Sequence, residues 1–361
     1  MRLENQSRLA DKTQRASRLS IEEARRLWLE ASDPDLRELA SQARARFHRP
    51  HHCTYLVMGI INYTNVCVAQ CDYCAFYRLP GSPGGYVLSR DAVFSKVDNI
   101  LLLGGDLVGF NGGFNPHLPL NYYCELFAAV RERYGERLEF YAMTVAEFMY
   151  LAHTAKLDFP SAAARFKQAG VRWITGGGSE VLAESFRKRH SKFKYTVDEF
   201  FDAQRAIIQA GLSTTATMVI GFDESLDERL EHLERTRNFQ DETGGLVSFL
   251  CWTYKPQFTQ LGGAEISAEE YLRHLALCRI YFDNIPRIRT SVLTQNERAL
   301  EGLLYGADDF DLPVEDEVTQ KAGATISLEF DRILSVARNL GFTPEYRRVA
   351  LAASQLPHHS S

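Results

Sequence analysis

The sequence predicts an α/β barrel of the TIM type, an eightfold (β/α) unit or nearly so, with a helical extension at its N-terminus. Three observations carry this reading. Apolar strand-like runs alternate with helical stretches from residue 55 onward. Seven of the runs are clear and an eighth is weak. No Gly/Ser linker separates the first 50 residues from the remainder of the chain. Strands alternating with helices at this spacing pair in parallel, and seven or eight such units argue for a closed barrel over an open sheet. In such barrels the active site lies at the C-terminal ends of the strands.

Residues 1 to about 50 read as polar helices, with apolar residues at three- and four-residue intervals in Ile21 to Leu29 and Asp35 to Phe47. They form an extension packed on a barrel of residues 51–350, and residues 351–361 form a polar, flexible tail. His51, His52 and Cys53 precede the first strand and belong at the barrel bottom. The strand candidates are Tyr55–Ile61, Leu107–Phe110, Leu138–Met143, Val171–Ile174, Ser213–Ile220, Leu246–Trp252 and Ile288–Leu293, with the weak eighth near Ala307–Phe310. Between them, Ser89–Leu103 closes on Gly104, a helix-ending glycine. Pro119–Tyr134 carries one apolar and aromatic face. Thr196 opens T-V-D-E, a capping-box pattern for a helix that ends at Gly211. Leu226–Glu242, Ala268–Asp283 and Leu328–Leu340 complete the set.

Composition narrows the function. The 361 residues are 45% apolar and 24% charged, which suits a packed globular chain and not a disordered one. The 46 acidic residues outnumber the 41 basic ones, giving a net charge of −5 and no basic field for a phosphate backbone. No nucleic-acid partner is expected. No apolar run approaches the roughly 20 residues that cross a bilayer, so no membrane partner is expected either. The opening MRLENQSRLADKTQR lacks the apolar core of a signal peptide, and the chain is expected in the cytoplasm, its seven cysteines reduced.

Three of those cysteines fall within eight residues. Directly after the first strand comes N-Y-T-N-V-C-V-A-Q-C-D-Y-C, with Cys67, Cys71 and Cys74 spaced C-x3-C-x2-C. Three thiolates on one short loop can hold three corners of a cubane iron–sulfur cluster and leave the fourth iron open. A structural zinc wants four ligands and a closed shell, and a fourth cysteine at ferredoxin spacing is absent. An iron with an open site can bind the amino and carboxyl groups of S-adenosylmethionine. Cys124 and Cys278 fall on predicted helices and read as small apolar residues.

The spacing, with Tyr73 just before the last cysteine, resembles the radical S-adenosylmethionine superfamily. The resemblance implies a [4Fe–4S] cluster that donates one electron to the bound sulfonium, giving methionine and a 5′-deoxyadenosyl radical that abstracts a substrate hydrogen. It also implies a reductase, flavodoxin or ferredoxin as electron donor. By the same resemblance Tyr73 flanks the adenine, with Phe76 packed behind it. Asn111, Gly112 and Gly113, ending the second strand, face the methionyl ammonium or form an ordinary loop. Glu180, in G-G-G-S-E after the fourth strand, bonds the ribose or serves as a first-turn helix acid. Gly221 and Glu224, ending the fifth strand, resemble a G-x-x-E near the adenine or form a plain turn.

The motifs N-Y-T-N-V-C-V-A-Q-C-D-Y-C-A-F-Y-R, G-G-F-N-P-H-L-P, G-G-G-S-E, T-T-A-T-M, Q-D-E-T-G-G, W-T-Y-K-P and F-D-N-I-P span residues 62–286. Their order is similar to the cyclic dehypoxanthinyl futalosine synthase family of menaquinone biosynthesis. That family's reaction is an oxidative cyclisation: a ribose hydrogen is removed, the sugar radical attacks a benzoate ring, and loss of an electron and a proton leaves a spiro product. The chain departs from the family pattern at four places, all expected near the barrel mouth. S-P-P-E becomes Thr144-Val145-Ala146-Glu147, G-H becomes Gly221-Phe222, a proline before W-T becomes Cys251, and N-D-F-G-S-T-M-M-E-E-N-V becomes Asp308–Val318. A paralogue of the aminofutalosine synthase or deazaflavin synthase type, acting on another aromatic small molecule, therefore stays open. So does a non-catalytic barrel holding an iron–sulfur cluster or zinc.

A carboxylate-bearing substrate would favour a cationic clamp, for which Arg78, Lys255 and Arg289 are candidates; surface solvation is the alternative for each. Asn115 and Thr217, like Asn111, are placed to bond sugar hydroxyls or to satisfy turns. Trp252 and Tyr254 wall an aromatic ring or pack the core. Glu147 and His117 are candidate proton acceptors, each with a structural alternative.

Overall fold

The computed structural model describes residues 18–191 and 194–349. Eight parallel strands, β1 (His52–Ile61), β2 (Leu107–Phe110), β3 (Glu139–Thr144), β4 (Trp173–Thr175), β5 (Thr214–Ile220), β6 (Leu246–Thr253), β7 (Ile288–Thr290) and β8 (Asp309–Asp316), lie in the order β4-β3-β2-β1-β8-β7-β6-β5. The two ends of this sheet meet low in the barrel through a Trp173–Ser213 bridge. Higher up, side chains stitch the seam: Thr217 Oγ1 donates to the Gly176 carbonyl at 2.8 Å, and Ser179 Oγ donates to the Thr217 carbonyl at 2.7 Å. Thr217, expected to meet a sugar hydroxyl, borders the cavity but spends its hydroxyl proton on this closure.

Helices cover the outside. Phe110, Phe127, Phe140 and Phe166 belong to the apolar layer between strands and helices, whereas Leu56, Met58, Leu107, Tyr141 and Trp173 fill the barrel interior together with Val349. The N-terminal helices Ile21–Glu30 and Asp33–Arg44 each open on a serine capping box. The second starts two residues before the predicted Asp35, because Ser32 caps it. Arg273 of the helix Ala268–Tyr281 ties the first to the barrel through the Trp28 and Ala31 carbonyls.

Several boundaries differ from expectation for long-range reasons. A ninth strand, β9 (Thr343–Tyr346), pairs with β1 from His52 to Tyr55, so His52 and Cys53 lie in the strand and not before it. The eighth strand, expected near Ala307–Phe310, runs to Asp316; its inward acids mask the apolar signal. The seventh stops at Thr290, where Ser291 caps a short helix, Val292–Gln295. Helices Val145–Thr154, Phe159–Gln168 and Glu184–His190 add to the expected set, and the first is buried on most sides and so lacks the amphipathic period that would reveal it. The expected tail lies outside the described residues.

Candidate active site

A cavity of 330 Å³ opens at the C-terminal ends of the strands. Cys67, Cys71 and Cys74 line it on one side, from a loop built between β1 and the next helix. Local pairing shapes that loop. Cys67 N–H donates to the Arg78 carbonyl at 2.9 Å, Arg78 N–H to Asn65 at 2.8 Å, and Val68 N–H to Phe114 at 3.1 Å. Arg78 thus closes the base of the loop through its backbone. Its side chain turns back to the Tyr77 carbonyl, outside the cavity lining, so the structure does not support it as a substrate clamp. His190 pins the loop from the other side, its ring nitrogens 3.0 Å from Asp72 and 2.7 Å from Asp223.

Burial pushes all three thiols up, Cys74 to about 11, while backbone amides of Ala69 and Phe114 at Cys67, and of Phe76 and Tyr77 at Cys74, favour the thiolate. Sulfurs held this way become anions when iron replaces the proton. Among the described residues no three His, Cys, Asp or Glu side chains converge to hold one metal ion. Thiolates that each take a different corner of a cubane have no need to converge.

Gly112 and Gly113 pass directly behind the loop. A Cβ on Gly113 would collide with the Val66 carbonyl and stand 2.7 Å from Cys67 Cβ; one on Gly112 would stand 2.6 Å from the Tyr63 ring. The Gly112 amide donates to Glu147 Oε1 at 2.8 Å, and the Tyr63 hydroxyl donates to the same oxygen. Glu147 Oε2 takes the Thr144 amide at 3.0 Å and hydroxyl at 2.8 Å, as a helix capping box. Each oxygen of Glu147 is therefore committed, and burial pushes its carboxyl above the ordinary range. It positions the glycine turn and borders the cavity with its oxygens already taken by these donors.

From Tyr73, beside the cysteines in the same loop, an aromatic wall runs through Phe222 to Tyr254 with successive ring centroids 5.2 and 4.6 Å apart, and Trp252 lines the cavity as well. Glu180, at φ +43°, reaches both carboxylate oxygens to Lys194 Nζ at 3.0 and 3.1 Å; Lys194 also donates to the Tyr73 hydroxyl at 3.1 Å. Burial opposes the charge on Lys194, but Cys71 and Glu180 raise it, leaving the amine above its ordinary value. Sequence reasoning missed Lys194, which no local motif marks.

Other candidates fall elsewhere. His117 is exposed on a separate surface hollow, because the Asn115 side chain turns the chain outward by accepting its amide at 3.0 Å. Asn115 itself is buried and bonds Thr64 at 3.1 Å, a loop staple and not a substrate contact. Glu224 holds the Gly221 and Phe222 amides at 2.9 and 2.8 Å and pairs with Arg229, so it and Gly221 shape the turn that presents Phe222 without lining the cavity. Asn111, Gly112, Gly113, Tyr73, Glu180, Thr217, Trp252, Tyr254, Lys255 and Arg289 do line it. Lys255 is neutralised by Glu265 at 2.5 Å. Arg289 is anchored by its Nε to Asp309 at 3.0 Å.

Residues 61–236 match the radical SAM superfamily, and residues 243–360 match the CofH/MqnC C-terminal region. The chain is 33% identical over 333 residues to the cyclic dehypoxanthine futalosine synthase of Halalkalibacterium halodurans, covering 91% of this chain and 90% of that protein. The chain belongs to the radical S-adenosylmethionine superfamily. Within it, the chain is an enzyme of the futalosine and CofH/MqnC group. It is likewise 33% identical to the aminodeoxyfutalosine synthase of Thermus thermophilus, over 88% of this chain and 86% of that one. The crystal structure of methylornithine synthase shares the barrel, with a TM-score of 0.73 at 16% identity over 96% of this chain and 99% of that one.

Radical S-adenosylmethionine enzymes use a [4Fe–4S] cluster and S-adenosylmethionine, act on small molecules and need a reductant. The loop fits that cluster: three cavity-lining thiols with no fourth ligand gathered beside them among the described residues, backed by glycines where a side chain has no room. Gly113→Ala is expected to push the loop off its partner strand. Anaerobic reconstitution should then give less than half the iron per chain of the parent enzyme, with the fold retained by circular dichroism. Undiminished iron would show that the close approach is not needed. Among the described residues no helix is long and apolar enough to cross a membrane.

Proposed function

We propose that this enzyme catalyses the oxidative cyclisation of dehypoxanthinyl futalosine to cyclic dehypoxanthinyl futalosine in menaquinone biosynthesis. Similarity to cyclic dehypoxanthine futalosine synthases along nearly the whole chain supports the reaction. The observation that carries the substrate is Arg289. Its Nε is spent on Asp309, and no other acceptor among the described residues takes a hydrogen bond from its guanidinium, which faces the cavity. A buried guanidinium with free terminal nitrogens suits a planar carboxylate such as the benzoate of this substrate.

When bound, the cluster and S-adenosylmethionine supply the 5′-deoxyadenosyl radical that removes the ribose hydrogen. The chain's own residues do the rest. Phe222, Tyr254 and Trp252 exclude water and confine the aromatic ring, and Tyr73, beside the cysteines, flanks the adenine. Arg289 fixes one end of the substrate and so orients its sugar. A flavodoxin, ferredoxin or reductase serves as electron donor, in a reducing cytoplasm that leaves Cys67, Cys71 and Cys74 open to iron and keeps the other four cysteines as thiols.

Equal identity to an aminodeoxyfutalosine synthase favours a second reading, a coupling of that type on a related aromatic substrate. One assay separates the two. With dithionite and S-adenosylmethionine, the reconstituted enzyme should release 5′-deoxyadenosine slowly, and dehypoxanthinyl futalosine should raise that rate at least tenfold with formation of the cyclic product. No stimulation would favour the second reading.

A further inference from the structure

The floor of the cavity holds an acid that the proposed reaction has not used. Asp311 follows Asp309 by two residues on β8, so both point inward. Asp309 is consumed below: Thr54, Arg289 and Arg347 all donate to it, and Arg287 lies within 3.8 Å. Burial works against its charge, but Arg347, Arg289 and Arg287 outweigh that and hold its carboxyl below the ordinary range. Asp311, one layer higher, lines the cavity, is only 4% exposed, and its Oδ1 has no hydrogen-bond partner. Among the described residues it forms no ion pair, although Arg289 stands on the neighbouring strand.

An unpaired buried carboxylate oxygen is costly unless something fills its place. Three groups besides Asp309 act on Asp311 from the packed elements: Arg289 on β7, the Leu293 amide above it and Tyr271 from the helix outside, while Tyr141 across the barrel acts on Arg289. Burial, against the pull of Arg289, pushes the Asp311 carboxyl up to about 6. A second carboxylate brought beside it would push it higher still, because two neighbouring carboxyls share one proton.

We propose that Arg289 and Asp311 together form the subsite for the substrate carboxylate, Arg289 supplying the charge and Asp311 the shared proton. This deepens the proposed function and rests on its reading of the substrate as a carboxylate. The carboxylate is gripped as one half of an acid–carboxylate pair. Binding then takes up a proton from solvent at any pH where free Asp311 is ionised, and affinity falls by up to about tenfold per pH unit above 6. A neutral carboxamide gains nothing from this arrangement at low pH.

The test is calorimetric and needs no turnover. Dehypoxanthinyl futalosine, and benzoate as a second probe, are titrated into reconstituted enzyme without reductant at pH 7.5, in two buffers of different ionisation enthalpy. The parent enzyme should take up close to one proton per molecule bound. Asp311→Asn, the same shape with a permanent donor, should bind as tightly as the parent does at pH 6 and take up none. Uptake with benzoate but no binding of dehypoxanthinyl futalosine would sink the proposed substrate and keep the subsite. Binding of the substrate without uptake, or with uptake unchanged in Asp311→Asn, would keep the substrate and overturn the subsite. If neither probe binds, both are overturned.

Discussion

Replacing any one of Cys67, Cys71 or Cys74 by alanine is expected to leave a folded chain without its cluster. The loop is held by backbone bonds from Cys67 to Arg78, Val68 to Phe114 and Cys74 to Cys71, none of which needs a thiol side chain. Folding therefore survives. Two thiolates cannot hold a cubane whose fourth corner already lacks a protein ligand. Iron and acid-labile sulfide after anaerobic reconstitution should fall to a small fraction of the parent values, and 5′-deoxyadenosine release to background. Cys124→Ala provides the contrast. Cys124 lies on the helix Leu120–Tyr134, outside the cavity, and its loss should change neither iron nor activity. A cluster lost with Cys124, or kept without Cys71, would contradict the ligand assignment.

The second large effect is expected at Glu147, and it falls on stability. Removing the carboxylate in Glu147→Ala strands the Tyr63 hydroxyl, the Gly112 amide and the Thr144 cap in a buried place. Unsatisfied buried donors cost about 1–3 kcal/mol each, so urea denaturation should show a loss of about 3 kcal/mol or more. Glu147→Gln restores one acceptor oxygen but points an amide at donors already there, and it should recover only part. A catalytic base would behave otherwise, with Glu147→Gln folded at full stability and silent in turnover. That outcome would return Glu147 to the chemistry and remove it from the frame of the glycine turn.

Glu147 also illustrates how far the sequence could be read. Its position after the third strand, near the mouth, was legible from spacing. Its role was not, because the four donors around it come from Tyr63, Gly112 and Thr144, as far as 84 residues away. Asn115, His117 and Glu224 share this limit. Each is polar and close in sequence to a motif, yet the local turn sends it into a staple, to the surface or under the chain. Lys194 reverses the case: nothing near it in sequence signals a function, and only the fold sets its amine between Glu180, Tyr73 and Cys71.

By itself, the sequence determined the repeating strand–helix order, the parallel barrel that this order builds, and the cysteine loop at its mouth. These depend on contacts within a few residues or on a period carried by neighbouring side chains. Tertiary structure alone decided how the barrel is sealed: β9 lengthening β1, the Thr217 seam, and the Asp309 knot that props Arg289 and leaves Asp311 unpaired. Those outcomes turn on which charges share a desolvated interior. Charge pairing across a barrel is set by the radial meeting of strands distant in the chain, and no local pattern encodes that meeting.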